Sequence, residues 1–143
     1  MSIVMISLDK KILDPQSSVA HRMQSYGAEQ ELFILIPDKK ETALDLSASV
    51  HVRSTGGGKI LQFFRVLTVG SELIKKNKIT ELSVQDPFFA GLAGYLLKKK
   101  HGIKLQVQLH GDFFASDYYK QNHFLRYMLG RCIVRKADKL RVV

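Results

Sequence analysis

Cysteine is nearly missing from this chain. Cys132 stands alone, which excludes an internal disulfide and a thiolate metal cluster and fits a reducing, cytoplasmic setting. Long apolar runs are missing too: no window approaches the roughly 18 residues of a membrane span. The opening MSIVMISLDKK breaks its apolar run at Asp9, Lys10 and Lys11, too early for the core of a signal peptide. Glycine is absent from the loop after that run, DKKILDPQSS, so the G-x-G-x-x-G fingerprint of NAD or FAD binding is not there and no cofactor is expected. His21, His51, His101 and His123 have no metal-ligand spacing, and no metal is expected either. Acid is scarce, with 13 Asp and Glu against 22 Lys and Arg, a net charge of +9. That excess favours an anionic partner: nucleic acid, a phospholipid surface or a phosphorylated ligand.

What is present is an alternation of strands and helices within one domain of 143 residues, 45% of them apolar. IVMISLD (3–9) and LFILIP (32–37) read as strands buried on both faces, and VHVRS (50–54) as a third. ELSVQD (81–86), KLQVQL (104–109) and KLRVV (139–143) complete about six. Ser17 or Ser18 caps a short helix ending at Gly27. A second helix covers 59–77, with Ile60, Phe63, Phe64, Leu67 and Ile74 at helical spacing. Pro87 opens a third over about 88–100, and a fourth runs from about 123 to 136. The pattern predicts an α/β fold, a Rossmann-like open parallel sheet with helices on both faces. The link from Pro37 to Val50 is barely long enough for a crossover, so a loop is expected there instead of a helix. The chain stops on RVV, a bare last strand, which leads us to expect a truncated chain.

In such a sheet, ligands bind beyond the carboxyl ends of the strands. Those ends carry Asp9, Pro37, Ser54, Asp86 and His110. The stretch KLQVQLHGDFF, 104–114, runs from a strand straight into His110, Gly111 and Asp112. His110 is either a structural histidine tied to a carbonyl or a proton-handling group, with Gly111 allowing close approach and Asp112 nearby. Asp86 caps the following helix, a role compatible with ligand binding; for Asp9 both roles stay open. STGGGKI misses the P-loop pattern, because isoleucine follows Lys59, yet Gly57, Gly58 and Lys59 precede a helix N-terminus where amides could hold an anion. The last helix and strand concentrate charge: Lys120, Arg126, Arg131, Arg135, Lys136, Lys139 and Arg141 face one acid, Asp138. Arg126, Arg131, Arg135 and Lys136 form either a solvated face or a patch for an anionic membrane surface. No nucleic-acid reader motif is present, which argues against DNA or RNA.

The segments SLDKKILDPQSSVAHRMQSYG, VQDPFFAGLAGYLLKKKHGIKLQVQLHGDF and LGRCIVRKADKLRVV, in that order, resemble the N-terminal domain of family-4 glycosyltransferases, retaining sugar transferases of the GT-B fold. The resemblance spans essentially the whole chain and implies one half of a GT-B molecule. It implies that His110 is catalytic and sits with Gly111 at the cleft floor, and that Asp9, Ser17, Ser18, Asp86 and Asp112 border a sugar or lipid-linked acceptor. The nucleotide-sugar donor would be held mainly by a C-terminal domain that these residues do not include. Many relatives dock on membranes through a basic face of this domain, implying peripheral attachment to the inner membrane face. The chain departs from the family where many members carry glycines after the first strand. Because leaving-diphosphate stabilisation is chiefly electrostatic and belongs to the other half, these residues alone are expected to be inactive. Two alternatives stand beside this reading: a membrane-associated scaffolding subunit of a split glycosyltransferase, and a phosphate or small-ligand module built on TGGGK.

Overall fold

The computed structural model describes residues 2–109 and 124–142. Seven strands form one sheet: β1 (Ser2–Ile6), β2 (Glu31–Ile36), β3 (Glu41–Ser47), β4 (Val50–Thr55), β5 (Glu81–Val84), β6 (Lys104–Leu109) and β7 (Lys139–Val142). Their order is β3-β4-β2-β1-β5-β6-β7. All neighbours pair in parallel except β3, which runs antiparallel to β4. The described residues also form four α-helices, α1 (Ser18–Gly27), α2 (Lys59–Asn77), α3 (Phe89–His101) and α4 (Phe124–Lys136).

Strand β3 corrects the expected loop between Pro37 and Val50. The segment is too short for a helical crossover, but an antiparallel return needs only a tight turn. ETALDLS alternates exposed Glu41, Ala43 and Asp45 with more buried Thr42, Leu44 and Leu46, the period-two pattern of an edge strand. The Ser47 hydroxyl accepts the Ser49 amide at 3.3 Å and closes the turn into β4.

Side-chain parity divides the sheet into two faces. Val4, Ile6, Leu82, Val84, Leu105 and Val107 point to one face and pack under α2, α3 and α4. Met5, Ile34, Ile36, Val50 and Val52 point to the other and pack with Ala20 and Met23 of α1. On this second face the character changes abruptly at β1. Beyond it, the register lines up Glu81, Ser83, Gln106, Gln108, Lys139 and Arg141. That half of the face is polar and has no helix over it among the described residues.

Helix α2 follows expectation in part, with Phe63, Leu67 and Ile74 packed into the core. Its first turns leave Ile60 77% and Phe64 59% exposed, whereas Val66, Gly70, Ser71, Leu73 and Ile74 are buried. The stripe against the sheet therefore keeps Phe63, Leu67 and Ile74, is completed by Val66, Gly70 and Leu73, and leaves Ile60 and Phe64 outside it. Helix α1 begins as expected, with the Ser17 hydroxyl accepting the Ala20 amide at 3.1 Å. At the far end of the sheet, the Asp138 carboxylate accepts the Leu105 amide at 2.7 Å and meets Lys98 at 2.9 Å. The aspartate of the RKAD segment thus ties the start of β7 to β6.

One surface cluster has a pH-dependent consequence. His51 lies between Asp45 at 2.7 Å and Glu31 at 3.3 Å and stacks on Phe33. The Asp45 hydrogen bond, partly opposed by burial, raises its pKa above the ordinary 6.5. Because the folded value is raised, the stabilisation is full below the unfolded value and disappears as pH rises through the folded one. A His51→Ala variant should therefore lose more stability at pH 6 than at pH 9 by thermal unfolding; an equal loss at both would exclude the ion pairs as the cause.

Candidate functional site

From β1 the chain turns back through α1 to β2 on one side, whereas from β5 it passes through α3 to β6 on the other. The ends of β1 and β5 therefore flank the switch point of the sheet, where the two connections diverge and leave a crevice. Ser7 follows β1 and is fully buried. Its amide donates to the Leu35 carbonyl at 3.0 Å, and the Gln85 amide donates to the Ile6 carbonyl at 3.1 Å, extending the ladder across the strand ends. The Ser7 hydroxyl accepts the Asp9 amide at 3.1 Å and donates its single proton to Gln85 Oε1. That fixes the carboxamide, whose Nε2 has, among the described residues, only the Met5 sulfur at 3.5 Å as a weak acceptor. Gln85 is thus held with donor capacity to spare at the switch point.

Around it opens a crevice of about 290 Å³ lined by Asp9, Arg22, Tyr26, Gln85, Gln108 and Arg141, over Met5 and Met23. Gln108 is buried and donates to the Ser83 hydroxyl at 3.0 Å. An adjoining recess of about 230 Å³ continues along the polar half-face and shares Met5, Tyr26, Gln108 and Arg141. Carboxamides, a phenol and guanidiniums over a small apolar floor suit a polyhydroxylated ligand, since few converging polar groups fix its orientation. Other hollows are one of about 300 Å³ at the end of β4, lined by Arg53, Ser54, Thr55 and Arg65, and two on helix surfaces, about 340 Å³ between α2 and α3 and about 520 Å³ along α4.

The residues singled out from the sequence fall in different places. Asp9 lines the crevice, while its carboxylate also accepts the Lys11 amide at 3.0 Å and caps the short 3-10 turn Lys10–Leu13. Beside it Lys10 reaches Asp38 at 3.1 Å; this contact and the Lys39 amide hold the Asp38 carboxyl below its ordinary range. The Asp86 carboxylate accepts the Phe88 amide at 2.6 Å, shaping the turn into α3. Ser17 and Ser18 do not line the crevice: Ser17 is the cap of α1, and its hydroxyl also donates within the preceding turn, to Lys11 or Asp14. Gly57 has φ +83°, and its amide donates to the Lys39 carbonyl at 3.1 Å, so this glycine serves the turn itself. Gly58 is the N-cap of α2, and Lys59 begins that helix, exposed. Arg126 lies 4.8 Å from the Phe88 ring and Arg131 5.8 Å from the Tyr127 ring, whereas Arg135 and Lys136 are exposed. His110, Gly111 and Asp112 lie outside the described residues.

Sequence reasoning missed Ser7, Gln85, Gln108, Arg22, Tyr26 and Arg141. The available signal was parity: Ser83 and Gln85, like Gln106 and Gln108, are two apart in successive strands and so share a face. No cluster of His, Cys, Asp and Glu able to hold a metal occurs among the described residues. None of their helices is long and apolar enough to cross a membrane.

No family model matches the chain, and no curated protein matches it by sequence. Solved structures do. The chain superposes on sucrose-phosphate synthase from Thermosynechococcus elongatus with a TM-score of 0.69 at 12% identity, covering 100% of this chain and 76% of that one. UDP-GlcNAc 2-epimerase from Methanocaldococcus jannaschii gives 0.59 at 14% identity, covering 98% of this chain and 38% of that one. The lipopolysaccharide outer core galactosyltransferase WaaB gives 0.57 at 14% identity, again covering 98% and 38%. At these identities the likeness concerns the fold: the chain has the architecture of one Rossmann-like half of GT-B proteins, and it spans well under half the length of the epimerase and of WaaB.

Proposed function

We propose that this chain is the acceptor-binding half of a retaining glycosyltransferase, in which the crevice between β1 and β5 receives a sugar or lipid-linked acceptor. A second domain would hold the nucleotide-sugar, from which a hexose is transferred. The observation that carries the reading is the Ser7–Gln85 pair, which presents a fixed carboxamide donor at the switch point beside Asp9, Tyr26 and Gln108. The likeness to half of a GT-B molecule supports it, as does the earlier resemblance to family-4 glycosyltransferases. In this reading His110, which follows β6 directly in sequence, is the catalytic residue, with Gly111 and Asp112 beside the acceptor. Catalysis requires the donor half, so these residues alone transfer no sugar.

Calorimetric titration with monosaccharides and alkyl glycosides tests the proposal. Gln85→Ala should weaken binding by roughly two- to twelvefold, the range of one neutral hydrogen bond of about 0.5–1.5 kcal/mol. Tight binding of a nucleotide-sugar with no response to any saccharide or glycoside would overturn the assignment of this half to the acceptor.

A second property is supported by α4. Leu125 is 83%, Phe124 58% and Met128 48% exposed, next to Arg131, Arg135 and Lys136. Exposed apolar and basic side chains on one helix suit the interface of an anionic membrane, where the apolar groups enter and the cations stay with the headgroups. A lipid-linked acceptor would be met on that surface.

A further inference from the structure

We infer that the acceptor carries an oxyanion, a phosphate or a carboxylate, gripped between Arg22 and Arg141; this deepens the acceptor reading and rests on it. The two arginines come from opposite walls of the crevice. Arg22 belongs to α1, and Arg141 belongs to β7, where it stands in register with Gln108. Both are exposed, and neither forms an ion pair among the described residues. Lys10, after β1, is paired with Asp38, and Lys139, two residues before Arg141, is paired with Glu81.

Among the described residues Asp9 is the one carboxylate lining this crevice, with Glu29 lining the adjoining recess, and Asp9 already accepts the Lys11 amide. Two guanidiniums against one carboxylate leave the described lining of this crevice with a net positive charge. A guanidinium presents its N–H groups as a planar fork that matches phosphate or carboxylate oxygens two at a time. Between the arginines, the Gln85 and Gln108 carboxamides and the Tyr26 phenol offer partners for hydroxyl groups. One crevice therefore combines recognition of a polyol with recognition of an anion, the chemistry of a sugar phosphate or a uronic acid. A neutral acceptor would leave both guanidiniums without a partner.

Titration calorimetry on the 143-residue chain with a hexose 6-phosphate, a hexuronate, the unmodified hexose and inorganic phosphate separates the cases. At least one charged sugar should bind about tenfold or more tightly than the neutral hexose, the size of a charge-assisted hydrogen bond. Whichever of the two charged sugars binds more tightly identifies the oxyanion. Arg22→Gln and Arg141→Gln, at exposed positions that leave the core intact, should each weaken the charged sugar far more than the neutral hexose and so remove most of that preference. Equal binding of charged and neutral sugars, or a preference that survives both substitutions, overturns the inference alone. Inorganic phosphate binding as tightly as the sugar phosphate, with both variants abolishing it, keeps the arginine pair and overturns the sugar reading. No binding by any of the four probes overturns both.

Discussion

A Gly94→Val variant is expected to unfold about 5–10 °C below the parent, a loss of about 1–3 kcal/mol. Helix α3 lies on the sheet with almost no space at this position: a Cβ on Gly94 would fall 2.6 Å from Val84 Cγ1 and 2.9 Å from Leu105 Cδ1. Both neighbours are fully buried, as is Leu82 beneath them, so none can swing into solvent. The helix must lift, or the strands beneath it must part. Valine is a better helix former than glycine by a few tenths of a kcal/mol, which offsets only a small part of the clash. Thermal unfolding of the two proteins side by side decides the matter. An unchanged or higher melting temperature would mean that α3 does not seat on β5 and β6 as described. The same contact explains a small-residue helix after Asp86: Gly91 likewise faces the Asp86 carbonyl at 2.9 Å from its would-be Cβ, so α3 starts tight against the site.

Neutralising Arg126, Arg131, Arg135 and Lys136 together should nearly abolish binding to anionic vesicles. Each basic residue close to such a surface contributes about 1 kcal/mol, so four contribute about 4 kcal/mol, on the order of a thousandfold in partitioning. Arg126 and Arg131 also lie against Phe88 and Tyr127, so glutamine replacements with a check of the melting temperature separate charge loss from loss of packing. Co-sedimentation at low salt should show the parent on phosphatidylserine vesicles and the variant in the supernatant. Raising the salt should release the parent as the Debye length shrinks. Equal binding to zwitterionic vesicles, or a variant that sediments like the parent, would contradict a basic docking surface on α4.

Most of the fold was legible in the sequence because it rests on local signals. The apolar runs of β1, β2 and β4, the Ser17 cap and the proline before α3 each act within a few residues. Strand β3 was lost because its alternation is weak, with Leu46 its one buried position, and because crossover length was weighed only for a parallel link. The face of α2 was read correctly at Phe63, Leu67 and Ile74 and misjudged at Ile60 and Phe64, because the buried stripe includes Gly70 and Ser71, which a count of large apolar residues passes over.

The site was legible only at its edge. Asp9 could be placed from the end of β1, but its partners could not. Arg22 in α1, Gln85 just after β5, Gln108 in β6 and Arg141 in β7 are far apart in sequence, and only the strand order brings them to one crevice. Gln106 and Gln108 announced a polar face within KLQVQL. Whether that face is covered depends on which side each crossover takes, a property of topology and not of the segment. Ser7 reads as one more residue in an apolar run until the end of β5 is set beside it.

Mapping a neutral methyl hexoside by amide chemical shifts on the assigned chain decides whether the crevice between β1 and β5 receives a sugar. Occupancy of the switch-point crevice predicts the largest shifts at Ser7, Asp9, Gln85 and Gln108, and their loss of coherence as a set in Gln85→Ala. Largest shifts at Gly57 to Lys59 or in the groove between α2 and α3, or no shifts at saturating hexoside, would contradict it.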